Sequence, residues 1–193
     1  MINSAIVPVP KLENDFYDWY QRHEQKKQAV KANQFDLIFI GDSITHFFEG
    51  HPGFDNKGDK VWQQYYGGRN ALNLGFGWDR TQNVLWRLGN GEFENQFPLL
   101  VVLNIGTNNL TGTNNARENT PEEITEGIKG ICKFIFSKSE KPRILIMGVF
   151  PRGLPTEHFR GKINAINLHL KTFAGTNRTC MGSSALRSHG HMA

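Results

Sequence analysis

The residues that could do chemistry in this chain lie in three short polar blocks, each of which ends or follows an apolar run. The blocks contain Ser43, Gly75 and Asn108. A serine hydroxyl becomes a nucleophile when a neighbouring base removes its proton. Acyl transfer also needs N–H donors directed at the oxyanion that develops on the carbonyl. The pattern therefore predicts that Ser43 attacks an acyl group, while the Ser43 and Gly75 amides and the Asn108 side chain hold the oxyanion.

Each block also has a purely local interpretation. Ser43 could cap a helix, Gly75 could be a turn glycine, and Asn108 could be a turn or capping residue. The order of the three blocks along the chain, each after an apolar run, favours the catalytic interpretation. Asp42 lies directly before Ser43, and we expect it to cap the turn and not to act as a catalytic acid.

Alternating strands and helices are expected to position these residues. Strands are predicted at Asp36–Gly41, Ala71–Phe76, Leu99–Ile105 and Ile144–Phe150, and helices at 11–34, 79–88, from Thr120 onward and at 162–173. This alternation predicts an α/β fold with a parallel sheet covered on both sides, a flavodoxin-like three-layer sandwich. We expect one domain over residues 1–174. Residues 175–193 contain no Asp or Glu and show no periodicity, which predicts a C-terminal tail outside that domain.

With these blocks the sequence resembles the SGNH (GDSL-type) serine esterases and lipases. Gly41-Asp42-Ser43 matches the first block of the family, Gly75 the glycine of the second, and 106–109 the third. Residues 73–88 are similar to acetylesterases of the platelet-activating-factor acetylhydrolase catalytic-subunit type. The resemblance implies hydrolysis of short acyl esters, acetyl esters above all, with Ser43 as nucleophile, Ser43, Gly75 and Asn108 as the oxyanion hole, and no metal or cofactor.

The family's last block, Asp-x-x-His, is missing from this chain. No Asp follows Asp79, so the usual histidine base and its orienting acid are absent. We therefore expect the fifth strand and last helix of the fold to be missing and the activity to be reduced. In chain order the candidate bases are His189 and His191, with His158 as another possibility.

Two other functions stay open at this point. The chain could be a catalytically impaired remnant that binds acyl ligands or only self-associates. It could also be a flavodoxin-like nucleotide or flavin binder, although Gly75-x-Gly77 lacks the third glycine of a dinucleotide fingerprint. Phe76, Trp78 and Phe150 could line a substrate pocket or belong to the core.

Composition limits the partners. The net charge of +4 is spread along the chain, which argues against nucleic acid and leaves a small acyl ester as the expected ligand. No apolar run is long enough for a membrane span. The N-terminus does not resemble a signal peptide, so a cytoplasmic location is expected, with a secreted form left open. Without a fifth strand, Arg143–Phe150 would be an exposed apolar edge, which predicts a homodimer or a higher homo-oligomer.

Overall fold

The computed structural model describes residues 2–50, 57–139, 141–153, 158–176 and 180–182. Its centre is a five-stranded parallel sheet in the order β2-β1-β3-β4-β5. The strands are β1 (Leu37–Gly41), β2 (Ala71–Gly75), β3 (Leu100–Asn104), β4 (Arg143–Ile146) and β5 (Cys180–Gly182). The parallel α/β architecture predicted from the alternating pattern is confirmed.

In the described part of the chain, six α-helices connect or precede the strands. They are α1 (Trp19–Ala32), α2 (Ser43–Phe48), α3 (Asp59–Tyr66), α4 (Thr81–Arg87), α5 (Pro121–Lys138) and α6 (His158–Thr176). The start of α5 follows its sequence signal, because the Thr120 hydroxyl accepts from the Glu123 amide and the Glu123 side chain accepts from the Thr120 amide. The predicted N-terminal helix begins later than expected, at Trp19, where the Asp18 carboxylate caps it.

The two faces of the sheet are covered differently. On one face, alternate residues of β1, β3 and β4 join α4, α5 and α6 in the buried core. On the other, Phe39 packs against Trp62 and Tyr66 of α3, with ring centroids 5.2 and 5.0 Å apart. The rest of this second face borders an apolar groove of about 740 Å³. Its sheet wall comprises Leu37, Leu100, Val102, Leu145 and Met147.

The prediction that the fifth strand is missing is wrong. Cys180–Gly182 pairs with β4 in parallel, and Cys180 is buried in the same core as Cys132. Three residues without a β-branched side chain give almost no strand signal in the sequence. Residues 175, 176 and 180–182 therefore belong to the folded unit and not to a tail. In addition, β4 is not an edge strand, because it has neighbours on both sides.

Helix α6 brings the chain back to the sheet edge where β5 begins. It extends over His158–Thr176, beyond both ends of the predicted helix at 162–173. Residues 183–193 lie outside the described part of the chain. Among the described helices, none combines the length and the apolar character needed to cross a bilayer.

Candidate active site

The sheet topology brings the three predicted blocks to one edge. Gly41, the last residue of β1, is in register with Gly75 of β2 on one side and with Asn104 of β3 on the other. After β1 the chain continues to β2 on one side of the sheet, and after β3 it continues to β4 on the other side. The direction in which strands are added therefore reverses between β1 and β3. In open parallel sheets, ligands bind beyond the carboxyl ends of the strands at such a point.

Ser43 lies on a tight turn from β1 into α2. A Cβ on Gly41 would come within 2.1 Å of Thr45 Oγ1 and 2.4 Å of the Asn104 carbonyl oxygen, so only glycine fits here. Asp42 caps the helix: its Oδ1 accepts from the Ile44 amide at 3.0 Å. Ser43 is the first helical residue, and its amide has no hydrogen-bond partner within the described residues. The turn therefore presents the Ser43 hydroxyl and amide together at the sheet edge.

The Asp42 carboxyl group is buried, and only one of its oxygens is hydrogen-bonded within the described residues. It is only 1% exposed, and its Oδ2 has no hydrogen-bond partner within the described residues. Burial, aided by the charge of Asp79, raises the Asp42 pKa to about 7. The side chain is thus a capping residue, as predicted, and one that changes protonation near neutral pH beside the candidate nucleophile.

Asn108 begins a short 3₁₀ turn, Asn108–Leu110, after β3. Its side chain is 8% exposed, and its Nδ2 donates to the backbone carbonyl of Asp79 at 3.0 Å. An amide NH₂ carries two hydrogens, so this bond orients the group and leaves a second donor. The neighbouring Asn109 is held in place by bonds to Thr81, Gln82 and Asn119.

Gly75 has a different environment from the one expected of an oxyanion donor. Its amide donates to Asn73 Oδ1 at 2.8 Å, and its carbonyl accepts from Arg22 Nε at 2.9 Å. A Cβ at this position would lie 2.3 Å from the backbone nitrogen of His46. The glycine is therefore required by the close approach of β2 and α2, and its amide is already engaged.

The backbone conformation of Trp78, at this edge of the sheet, was not predicted from the sequence. The residue has a φ of +62°, in the left-handed region, and its side chain is 42% exposed. Its amide has no hydrogen-bond partner in the part of the chain that the structure describes. Phe76, by contrast, is buried with the Arg87 guanidinium 3.8 Å above its ring, and Phe150 lines the apolar groove.

A buried ionic cluster lies behind the loop that carries Trp78. Asp79 accepts from Trp19 Nε1 and from Arg87 Nε, each at 2.7 Å. Arg87 also pairs with Glu92, whose other oxygen lies 2.6 Å from His23 Nδ1. Burial by itself would lower the Arg87 pKa. The carboxylates of Glu92 and Asp79 have the larger combined effect, so the Arg87 pKa is raised. Burial raises the Asp79 pKa to about 6, although Arg87 opposes the shift.

The histidines fall into two groups. His23 and His46 are buried among aromatic rings. His189, His191 and the side chain of His158 lie outside the described part, so their predicted roles stay predictions. No histidine is hydrogen-bonded to Ser43 among the described residues. Nor does this part of the chain group three or more His, Cys, Asp or Glu side chains as a metal site would require.

The sequence of this chain matches a known family and several curated proteins. Residues 39–181 match the model of the GDSL-like Lipase/Acylhydrolase family. The alpha2 subunit of platelet-activating factor acetylhydrolase IB from Rattus norvegicus is 33% identical over 153 residues, 79% of this chain and 60% of that protein. The alpha1 subunit from Bos taurus is 32% identical over 164 residues, 85% and 64% of the two chains. The chain thus spans about 60% of the length of the curated relatives that it matches.

Structural comparison agrees on the fold. The esterase AlinE4, described as an SGNH-hydrolase family esterase, superposes with a TM-score of 0.53 at 19% identity, covering 75% of this chain and 72% of that one. The acetyl xylan esterase AlAXEase gives 0.57 at 16% identity over 78% and 76%. At these identities the likeness concerns the fold alone. The family match, which covers most of the chain, shows that this protein belongs to the GDSL-like lipase/acylhydrolase family.

Proposed function

We propose that this chain is a serine esterase that hydrolyses short-chain acyl esters, with acetyl esters as the preferred class. The observation that carries the proposal is the position of Ser43 on its constrained turn at the same sheet edge as Asn108, whose amide is fixed by the Asp79 carbonyl. The relatives named as subunits of platelet-activating factor acetylhydrolase support the choice of acetyl.

The chemistry would run in two halves. Ser43 Oγ forms a bond to the acyl carbon while its proton passes to a base, and the alcohol leaves with a proton returned by that base. Water then attacks the acyl-serine, the carboxylic acid leaves, and the proton returns to Ser43. His189 and His191 remain the proposed bases.

The oxyanion would be held by the Ser43 amide and the second Nδ2 hydrogen of Asn108. Gly75 would contribute only if its amide gave up the bond to Asn73. The unpartnered amide of Trp78, in the loop after β2, is the alternative third donor. Each such donor is worth roughly 3–4 kcal/mol of transition-state stabilisation in mutational series.

Hydrolysis of p-nitrophenyl acetate by the full chain and by Ser43→Ala tests the proposal. A rate that is lost in the variant supports serine catalysis. The sequence lacks an Asp-x-x-His block, so a reduced rate is expected. Without a base, an esterase site retains about 10³–10⁴-fold over water from its oxyanion donors and binding.

The same experiment distinguishes the second candidate, an impaired family member that binds acyl ligands without turning them over. Equal rates for the chain and Ser43→Ala, together with saturable binding of the ester, would favour that function. The lack of an Asp-x-x-His block in the sequence is the observation behind it.

We also propose self-association through the C-terminal side of the sheet, and a cytoplasmic location. Among the described residues the edge there is β5, which has three residues and a single strand neighbour. On the second face of the sheet the apolar groove extends to Leu145 of the neighbouring β4. Exposed edges and apolar faces are typical association surfaces. Sedimentation of the full chain at micromolar concentration should show a dimer or a larger oligomer, and a single monomer species would contradict this part of the proposal.

A further inference from the structure

Trp78 stands out from its surroundings by exposure. All residues from Leu72 to Val84 are buried except Trp78, which is exposed. Its left-handed backbone, with φ of +62°, is the reason, because it turns the side chain away from the layer that buries its neighbours. A bulky residue in this conformation is a true outlier, and such outliers cluster at ligand sites.

The neighbours of Trp78 place it at the candidate site. On one side, the Phe76 amide donates to the carbonyl of Gly41 at 3.0 Å, two residues before Ser43. On the other, the Asp79 carbonyl holds Asn108 at 3.0 Å. The exposed indole therefore projects from a four-residue bridge, 76–79, between the turn that carries Ser43 and the proposed oxyanion donor.

The bridge is rigid. Tyr17 Oη donates to the Gly77 carbonyl at 3.2 Å, and the Asp79 side chain is fixed by Trp19 and Arg87. The protein thus holds an aromatic ring at a fixed position, in a strained backbone and in contact with solvent. Ile44, the residue after Ser43, is 43% exposed and extends the apolar rim of the site. Trp78 thus leaves 42% of its surface open to solvent at this edge.

We propose that the Trp78 indole is a stacking platform for the alcohol portion of the substrate and selects esters whose alcohol carries a flat ring. Aromatic side chains are the usual walls of small-molecule sites and favour stacked partners. The ring could be aromatic or a pyranose, since both present a flat face to the indole. This inference rests on the proposed esterase function, because it assigns the alcohol side of the same site.

Equilibrium binding in a Ser43→Ala background tests it without turnover. Ligand-observed NMR titrations compare phenyl acetate with hexyl acetate, which has the same acyl group and a six-carbon open-chain alcohol. A monoacetylated methyl glucopyranoside distinguishes the pyranose from the aromatic ring. The variants are Trp78→Gly and Trp78→Phe, with Tyr65→Ala on α3 as the control for an exposed aromatic elsewhere.

We expect Trp78→Gly to weaken binding of at least one ring ester by roughly fivefold or more, Trp78→Phe to restore part of it, and hexyl acetate to change little. Glycine accepts the left-handed backbone, so the variant should remain folded in a urea titration. Unchanged ring-ester affinity, equal losses for the hexyl ester, or no saturable ring-ester binding would overturn the inference. Turnover is assayed separately with Ser43 intact. An inactive protein that still binds through Trp78 would contradict the esterase proposal alone, and an active one indifferent to Trp78 would contradict this inference alone.

Discussion

The Asn108 side-chain amide donates a 3.0 Å hydrogen bond to the backbone carbonyl of Asp79. Through this bond the loop after β2 orients a group on the loop after β3, and both loops lie beside the turn that carries Ser43. The Asp79 side chain is in turn fixed by Trp19 and Arg87. The geometry of the candidate oxyanion site therefore depends on a buried cluster that does not itself reach the substrate.

Removing the Asn108 amide should reduce turnover strongly. Asn108→Ala deletes a proposed donor to the oxyanion, and we expect kcat to fall about 10²–10³-fold with a much smaller change in KM. Asn114→Ala, on an exposed neighbouring loop, is the matched control and should keep its kcat. A kcat for Asn108→Ala within threefold of the parent chain would show that this amide does not hold the oxyanion.

Arg87 should be the most sensitive residue for stability. Arg87→Met leaves the carboxylates of Asp79 and Glu92 buried without their shared cation. Breaking a buried pair in this way costs about 3–5 kcal/mol. Urea unfolding of the variant measures the loss. Arg69→Met, on the surface, should stay within about 1 kcal/mol of the parent, and a similarly small loss for Arg87→Met would show that the cluster contributes little.

The sequence predicted the sheet and the nucleophile turn but not this cluster. Ser43 follows a strand whose apolar run is continuous, and the Gly-Asp-Ser order leaves few other conformations for the turn. Asp79 precedes α4, Arg87 is its last residue and Glu92 follows it, so no single element contains all three and their meeting depends on the kink at Asn90 and Gly91. Trp78 gave no hint of its left-handed backbone, because that conformation is normally signalled by glycine or asparagine.

The protonation of Asp42 should make stability depend on pH. Its pKa rises from about 4 unfolded to about 7 folded, so between these values the folded state binds the extra proton. Stability from this group is complete below pH 4 and is lost as the pH rises through 7, by an upper limit of ~4 kcal/mol.

The Asp42→Asn variant tests whether stability falls as the pH rises, as expected from the raised Asp42 pKa. The amide keeps an oxygen to accept from the Ile44 amide but cannot ionise. In urea titrations, the parent chain should lose stability relative to Asp42→Asn from pH 4.5 to 8. Parallel curves over that range would mean that the Asp42 pKa is not raised by folding.

Gly75→Ala should destabilise the chain because the new methyl group has no room. Its Cβ would lie 2.3 Å from the backbone nitrogen of His46, and backbone atoms cannot rotate away as a side chain can. Overpacking of this kind costs about 1–3 kcal/mol or more. Gly161→Ala in α6 is the matched control, since nothing lies within 4 Å of its added Cβ. Alanine is the better helix former by about 1 kcal/mol, so this control should be neutral or stabilising. Thermal unfolding should therefore show a lower Tm for Gly75→Ala and an unchanged or higher Tm for Gly161→Ala, and equal shifts would contradict the close packing of β2 against α2.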